Sequence, residues 1–250
     1  MPRKRGARAI QLGGITLGAA GCSGPLSTLD PAGPSAAVVA DMFWIMTAGG
    51  FVLFALVMAL FAMVYLRPTW GRRVGPYRWI VYGGLGLPAI VLPPLVAYSL
   101  WVGERIWPTP ERDAVRIEVV GQMWFWSFHY PDHGGHTTVD IIHLPAGEPV
   151  EVELTSLDII HSFWIPRVAP KRDNIPGQVN VMRLQADEPG RLEGVCAEFC
   201  GLGHTDMRFE VRVHPPDEME AAILAEPQGF PPQTPETQPT PEGLAPEPLR

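Results

Sequence analysis

"RLEGVCAEFCGLGHTDMRFEVRV", residues 191–213, decides how the soluble part of this chain is read. Apolar and polar residues alternate in "RLEGV" (191–195) and again in "RFEVRV" (208–213), the period of a strand with one buried face. The same alternation occurs in "VRIEVV" (115–120) and "VEVEL" (150–154), and Pro and Gly clusters break it up. Residues 104–214 are therefore predicted to form an all-β sandwich or barrel of short strands, and about 110 residues is enough for one such core.

Between the last two strands the alternation stops, and donors of a different kind take over. Cys196, Cys200, His204 and Met207 fall within twelve residues of a chain that has only three cysteines. A second imidazole, His161 in "DIIHSFWIP", stands upstream at the end of a predicted strand. Three chemistries compete for this set. A disulfide between the two thiols is allowed outside the cytoplasm, but it gives the His and Met no role. Zinc accepts two thiolates and two imidazoles and gains little from a thioether. Copper that cycles through Cu(I) prefers thiolate, imidazole and thioether together. One blue-copper ion would use a single Cys, whereas two thiolates can bridge two ions, each also taking a His and a weak axial donor. His129, His133, His136 and His143 match no strong metal template and are expected to be surface or loop residues.

The region before the sandwich belongs to lipid. From Met42 to Leu66 and from Trp79 to Val102 no side chain is charged, and each stretch exceeds the roughly 20 residues needed to cross a bilayer. Pro88, Pro93 and Pro94 should bend the second span against a neighbouring helix. The loop between the spans carries Arg67, Arg72, Arg73 and Arg78 and no acid, which assigns it to the cytoplasm and everything after Val102 to the outer side. At the start of the chain, "MPRKRGAR" followed by a short apolar, glycine-rich stretch reads as a signal peptide. Cys22 after "AAG" resembles a lipoprotein cleavage site. From Glu226 onward 8 of 25 residues are Pro, so the tail is expected to be disordered. The expected organisation is a signal peptide (1–21), a two-helix transmembrane hairpin (36–103), the sandwich (104–214) and a short acidic segment with the Pro-rich tail (215–250).

From residue 104 to 214 there are 17 acids and 10 Lys or Arg. A net negative domain outside the cytoplasm suits a basic protein partner and argues against nucleic acid.

"HSFWIP" followed some thirty residues later by "CAEFCGLGHTDM" resembles the CuA signature of cytochrome c oxidase subunit II, and "GQMWFWSFHYP" and "DNIPG" occur in the order that family shows. The resemblance spans residues 40 to 214. It implies two transmembrane helices followed by a cupredoxin-like sandwich, in a bacterial inner membrane with the copper domain in the periplasm. It implies two copper ions (CuA) bridged by Cys196 and Cys200, capped by His161 and His204, with weak contacts from Met207 and the Glu198 carbonyl. The Glu198 side chain would reach a Mg or Mn ion shared with subunit I. Trp124 would be where electrons arrive from a c-type cytochrome, on their way to haem in subunit I, where oxygen is reduced and protons are pumped. Subunits I and III and membrane lipid are the implied partners. Three positions depart from the common pattern: Gln122-Met123 in place of His-Gln, Gln178 in place of an Arg, and Val81 in place of a Glu. None of them is a copper donor. A quinol oxidase subunit II would lack these donors. Nitrous oxide reductase would need a long propeller, and a tethered copper carrier would need no aromatic run.

Overall fold

Pro34, which fixes its own φ and needs no N–H partner, starts α1 (Pro34–Leu66). In this computed structural model residues 22–106 and 114–229 are described, so the signal-peptide reading of 1–21 and most of the Pro-rich tail lie outside the described residues. Cys22 is a free, partly exposed thiol. At 33 residues α1 is roughly 50 Å long, well beyond the ~30 Å hydrocarbon core. The surplus is used at its N-terminus, where Ala36 and Ala40 are buried and the Ala36 N–H donates to the Val168 carbonyl at 3.2 Å. Just before it, Gly33 runs so close to the sandwich that a Cβ there would lie 2.2 Å from the Gln185 carbonyl oxygen. Arg167 clamps this strap by donating to the Asp30 carbonyl at 2.6 Å and pairing with its carboxylate at 3.1 Å.

After α2 (Pro68–Val74), whose last turn carries Arg72 and Arg73, the second span runs through α3 (Pro76–Arg78), a π-helical segment (Trp79–Gly86) and α4 (Leu87–Ile106). The helix departs from α geometry just before Pro88, where the Leu87 N–H reaches the Tyr82 carbonyl. A proline ring collides with the carbonyl four residues back, and the wider π turn accommodates it. Both spans keep their most apolar windows unburied, and α1 packs against α4.

Among the described residues the sandwich has ten strands: β1 (Val115–Gln122), β2 (Phe125–Tyr130), β3 (His136–Val139), β4 (Ile141–Pro145), β5 (Val150–Ser156), β6 (His161–Trp164), β7 (Arg172–Asn174), β8 (Asn180–Leu184), β9 (Gly190–Cys196) and β10 (Arg208–His214). They form two five-stranded sheets, β3-β2-β1-β5-β8 and β4-β10-β9-β6-β7. Pairing is antiparallel except between β1 and β5 and between β4 and β10. The chain changes sheet at Asp140, a non-glycine residue at φ 54°. Its carboxylate accepts the Trp126 N–H at 2.8 Å and its own N–H donates to the Trp126 carbonyl at 2.9 Å, which fixes the corner.

The inner faces meet in an aromatic cluster. Trp126 and Phe128 of β2 lie against Phe163 of β6 and Phe209 of β10, with Phe163 and Phe209 stacked at 5.0 Å. Phe209 lies over its cross-strand neighbour Gly194, where a Cβ would come within 1.9 Å of the ring.

Two expectations need correction. His161 opens β6 and does not close a strand, because the turn at Leu157–Ile160 ends the preceding run. His143 is not a surface residue: it lies on β4 with 0% exposure, facing inward as the strand's alternation requires. The acidic segment after His214 is α5 (Pro216–Ala225), which buries Met219 and Ile223 against β3, β4 and β10.

Candidate metal centre

β9 ends at Cys196 and β10 starts at Arg208, and the antiparallel pair holds the ends of the intervening loop together. The Cys196 N–H donates to the Met207 carbonyl at 3.0 Å and closes the loop. Inside it, Gly201 takes φ 106°, a conformation that costs a residue with a side chain, and a 3₁₀ turn follows at His204–Asp206.

The closure gathers the donors. Cys196 Sγ and Cys200 Sγ are 3.8 Å apart, both thiols are free, and there is no disulfide between them. His161 Nδ1 is 3.9 Å from Cys196 Sγ, and the donor atoms of His161, Cys196 and Cys200 all lie within 4.8 Å of one another. On the other flank His204 Nδ1 is 3.6 Å and Met207 Sδ 3.7 Å from Cys200 Sγ. The Glu198 carbonyl oxygen is 3.2 Å from Cys196 Sγ, while its side chain is exposed. Cys196, Cys200, His161 and Met207 are buried and His204 is half-buried.

His161 comes from the other side of the loop, at the start of β6, and its ring rests on β1. A Cβ on Gly121 would stand 3.0 Å from the imidazole Cδ2, so a side chain there would press on the ring. The ring's Nε2 meets Asp158 Oδ1 at 2.8 Å. Burial lowers the basicity of His161, yet the bonds to Cys196 and Asp158 win and raise it overall. Burial likewise works against the Cys196 thiolate, and bonds from His161 and nearby backbone N–H groups pull its pKa down. Burial pushes Cys200 up, and the neighbouring Cys196 charge adds to it.

Trp124 is not on a strand. It occupies the turn between β1 and β2, 42% exposed, and its indole lies across the donor loop. Nε1 donates to the Cys200 carbonyl at 2.9 Å, and a Cβ on Gly203 would fall 2.4 Å from the ring. The aromatic run splits: Trp126, Phe128 and Tyr130 enter the core, and Trp124 stays at the rim. Met123 next to it, Ile159 and Ile160 just before His161, and Phe199 and Leu202 in the donor loop are also exposed.

Sequence reasoning thus named the five side chains and the Glu198 carbonyl that the fold brings together, and Trp124 beside them. It read Asp158 only as one of the acids by which a negative domain would steer a basic partner, and it passed over Gly121 and Gly203. An acid three residues before a candidate histidine ligand was the available signal for Asp158; the glycines gave none, because their role is space. Two thiols, two imidazoles and a thioether in a largely dry pocket form a donor set suited to copper.

Comparison with known proteins agrees. The family profile described as the periplasmic domain of cytochrome c oxidase subunit II matches residues 135–213. Cytochrome c oxidase subunit 2 of Alkalihalophilus pseudofirmus is 32% identical over 234 residues, covering 88% of this chain and 68% of that protein. Quinol oxidase subunit 2 of Bacillus cereus is 28% identical over 207 residues, covering 76% of this chain and 69% of that one. Among solved structures, the periplasmic domain of subunit II of cytochrome oxidase (CoxB) of Bradyrhizobium japonicum superposes with a TM-score of 0.44 at 28% identity, over 47% of this chain and 95% of that one. With two bilayer-length helices, a sandwich and this His/Cys/Cys cluster, the chain belongs to the cytochrome c oxidase subunit II family, a component of haem–copper terminal oxidases.

Proposed function

We propose that this chain is the electron-accepting subunit of a cytochrome c oxidase, taking single electrons from a c-type cytochrome at a dinuclear copper centre and delivering them to haem in subunit I. The observation that carries this reading is the paired thiols, 3.8 Å apart and flanked on each side by an imidazole. Cys196 and Cys200 would supply two thiolates to a pair of coppers, His161 and His204 an imidazole each, and Met207 and the Glu198 carbonyl weaker donors. When bound, the centre supplies one-electron redox chemistry. The residues of the chain do the rest. The sandwich keeps the donors in place and excludes water, so little needs to move when the charge changes. Trp124 presents an exposed indole that donates a hydrogen bond to the Cys200 carbonyl, and the exposed apolar side chains of Met123 next to it and of Phe199 and Leu202 in the donor loop offer a partner surface to cover.

Glu198, exposed beside the centre, is proposed to hold a Mg or Mn ion shared with subunit I. Subunit III and lipid are further proposed neighbours in a bacterial inner membrane. A signal peptide ending before a lipidated Cys22 remains part of this reading.

Reconstituting the full chain in detergent with copper tests the function. Two coppers per chain, a purple mixed-valence spectrum and reduction by cytochrome c support it. A single copper with a blue spectrum, tight zinc, or reduction only by a quinol overturns it. The quinol outcome would align the chain with relatives such as that of Bacillus cereus.

A further inference from the structure

β10 ends at His214, and the chain turns there through Pro215 into α5. The His214 ring is one half of a pair. His143 Nδ1 lies 2.9 Å from His214 Nε2, and the two imidazoles stack with centroids 5.1 Å apart and 12° between their planes. His143 is fully buried, and its Nε2 has no hydrogen-bond partner among the described residues.

The segment beyond the pair is fastened to the strands that carry it. α5 buries Met219 and Ile223 and packs on β3, β4 and β10. Past α5 the Glu226 carboxylate pairs with Arg212 of β10, His136 Nε2 of β3 lies 3.1 Å from the Glu226 carbonyl, and the Gly229 N–H donates to the Thr137 carbonyl at 2.8 Å. Residues 215–229 form a clasp with its joint at His214 and its latch at Glu226.

The joint is built for two neutral rings. A neutral imidazole has one N–H and one lone pair, so one ring donates across the 2.9 Å contact and the other accepts. A proton taken up by His143 makes both its nitrogens donors, and Nε2–H then stands in the interior without an acceptor. A further proton on His214 sets one N–H against the other. The surrounding charges do not offset this. Arg212 of β10 is the register partner of His143, and His136 of β3 is a further basic neighbour. Glu210 of β10 faces His143 but is already paired with Arg212 at 3.0 Å and with Arg191 of β9 at 3.2 Å. Glu218 of α5 favours a charge on His214, Tyr130 of β2 donates no charge, and His133 lies beyond Tyr130. Burial first, with the Arg212 charge among the other causes, lowers the basicity of both rings.

We propose that residues 215–229 are an acid-released clasp: it is docked while His143 and His214 are neutral, and protons on the pair separate the rings at the joint and free α5 and its Glu226 latch from the sandwich. β10 begins at the donor loop and ends at His214, so a seven-residue strand, roughly 20 Å, keeps the release away from the metal centre. What it frees is the root of the Pro-rich tail and the apolar surface under Met219 and Ile223. The clasp does not depend on the copper reading.

Hydrogen exchange on the full chain in detergent tests it, with each amide rate divided by its intrinsic rate at that pH to give an opening constant. In wild type the opening of residues 217–226 should rise about tenfold for each pH unit lost between 6.5 and about 4, while β9 stays protected. His143→Phe keeps a ring that takes no proton, and it should lose most of that dependence. His143→Gln, which can still bond His214, carries the test if the phenylalanine variant does not fold. Glu226→Gln loosens the latch and should raise opening by a similar factor at every pH, keeping the wild-type slope. Loss of the slope in Glu226→Gln would assign the release to that carboxylate and overturn the role of the pair. The proposal also fails if wild-type opening does not vary with pH, if α5 and β9 open together, or if both His143 variants keep the wild-type slope.

Discussion

Two imidazoles in this sandwich are cut off from solvent to the same degree, His161 at the start of β6 and His143 on β4. Their partners differ. His161 has a carboxylate on Nε2 and a thiol near Nδ1, and together these raise its basicity against the effect of burial. His143 Nδ1 meets His214 Nε2 at 2.9 Å with the rings stacked, and its own Nε2 is buried with no partner among the described residues. Burial first, then the His214 and Arg212 charges, push His143 down to about 4. Burial alone therefore does not make a metal ligand. Anionic and soft neighbours at the right nitrogen do, and their absence turns the same side chain into a neutral core residue.

The strongest way to break this contrast is to remove a thiol. Cys200→Ser should abolish the dinuclear copper spectrum of the full chain, while His143→Phe should load copper as wild type does, read by metal analysis and absorbance. Loss of loading in His143→Phe would place the second histidine pair in the site after all.

Next in size is Trp124. Trp124→Ala should slow reduction by cytochrome c at least about tenfold, about 1.4 kcal/mol of barrier, in stopped-flow measurements at saturating cytochrome. Trp124→Phe should recover part of the rate, because it keeps a ring over Gly203 and loses only the bond to the Cys200 carbonyl. A wild-type rate in Trp124→Ala would leave the indole a packing role only.

The histidine pair should show itself in acid. His143 is held well below its ordinary 6.5, so between pH 6.5 and about 4 the unfolded chain takes up a proton that the folded chain refuses. The stabilisation is complete above pH 6.5 and is lost as pH falls toward 4. The stability of wild type should drop across this window by roughly 3 kcal/mol relative to His143→Phe, read from thermal melts. Parallel curves for the two proteins would show that the pair is not coupled to folding.

The smallest effect is expected at Asp132. As an acid on a negative domain it invites a steering role, but it lies in the β2–β3 turn, at the opposite end of β2 from Trp124. Six residues of strand separate the two turns by roughly 20 Å, beyond two Debye lengths at physiological salt. Asp132→Asn should leave the rate and salt dependence of cytochrome reduction unchanged. A flattened salt dependence would move the docking face toward that end of the sandwich.

By itself the sequence determined which donors stand together in the loop and which runs become the two long apolar helices and the strands. Uncharged runs longer than a bilayer suit lipid, alternation at period two suits a strand with one buried face, and the softness of the donors favours copper over zinc. Local spacing was enough for the loop from Cys196 to Met207, because two adjacent strands close it. Tertiary structure decided the rest. His161 reaches the thiols only because β6 pairs with β9 and Gly121 leaves space for its ring. Asp158 became an internal acceptor, and Trp124 came to lie on the donor loop, through contacts between residues 35 and 76 positions apart. His143 was drawn inward by the register of β4 on β10. The direction a side chain faces depends on which strands become neighbours, and that follows from packing the whole aromatic core.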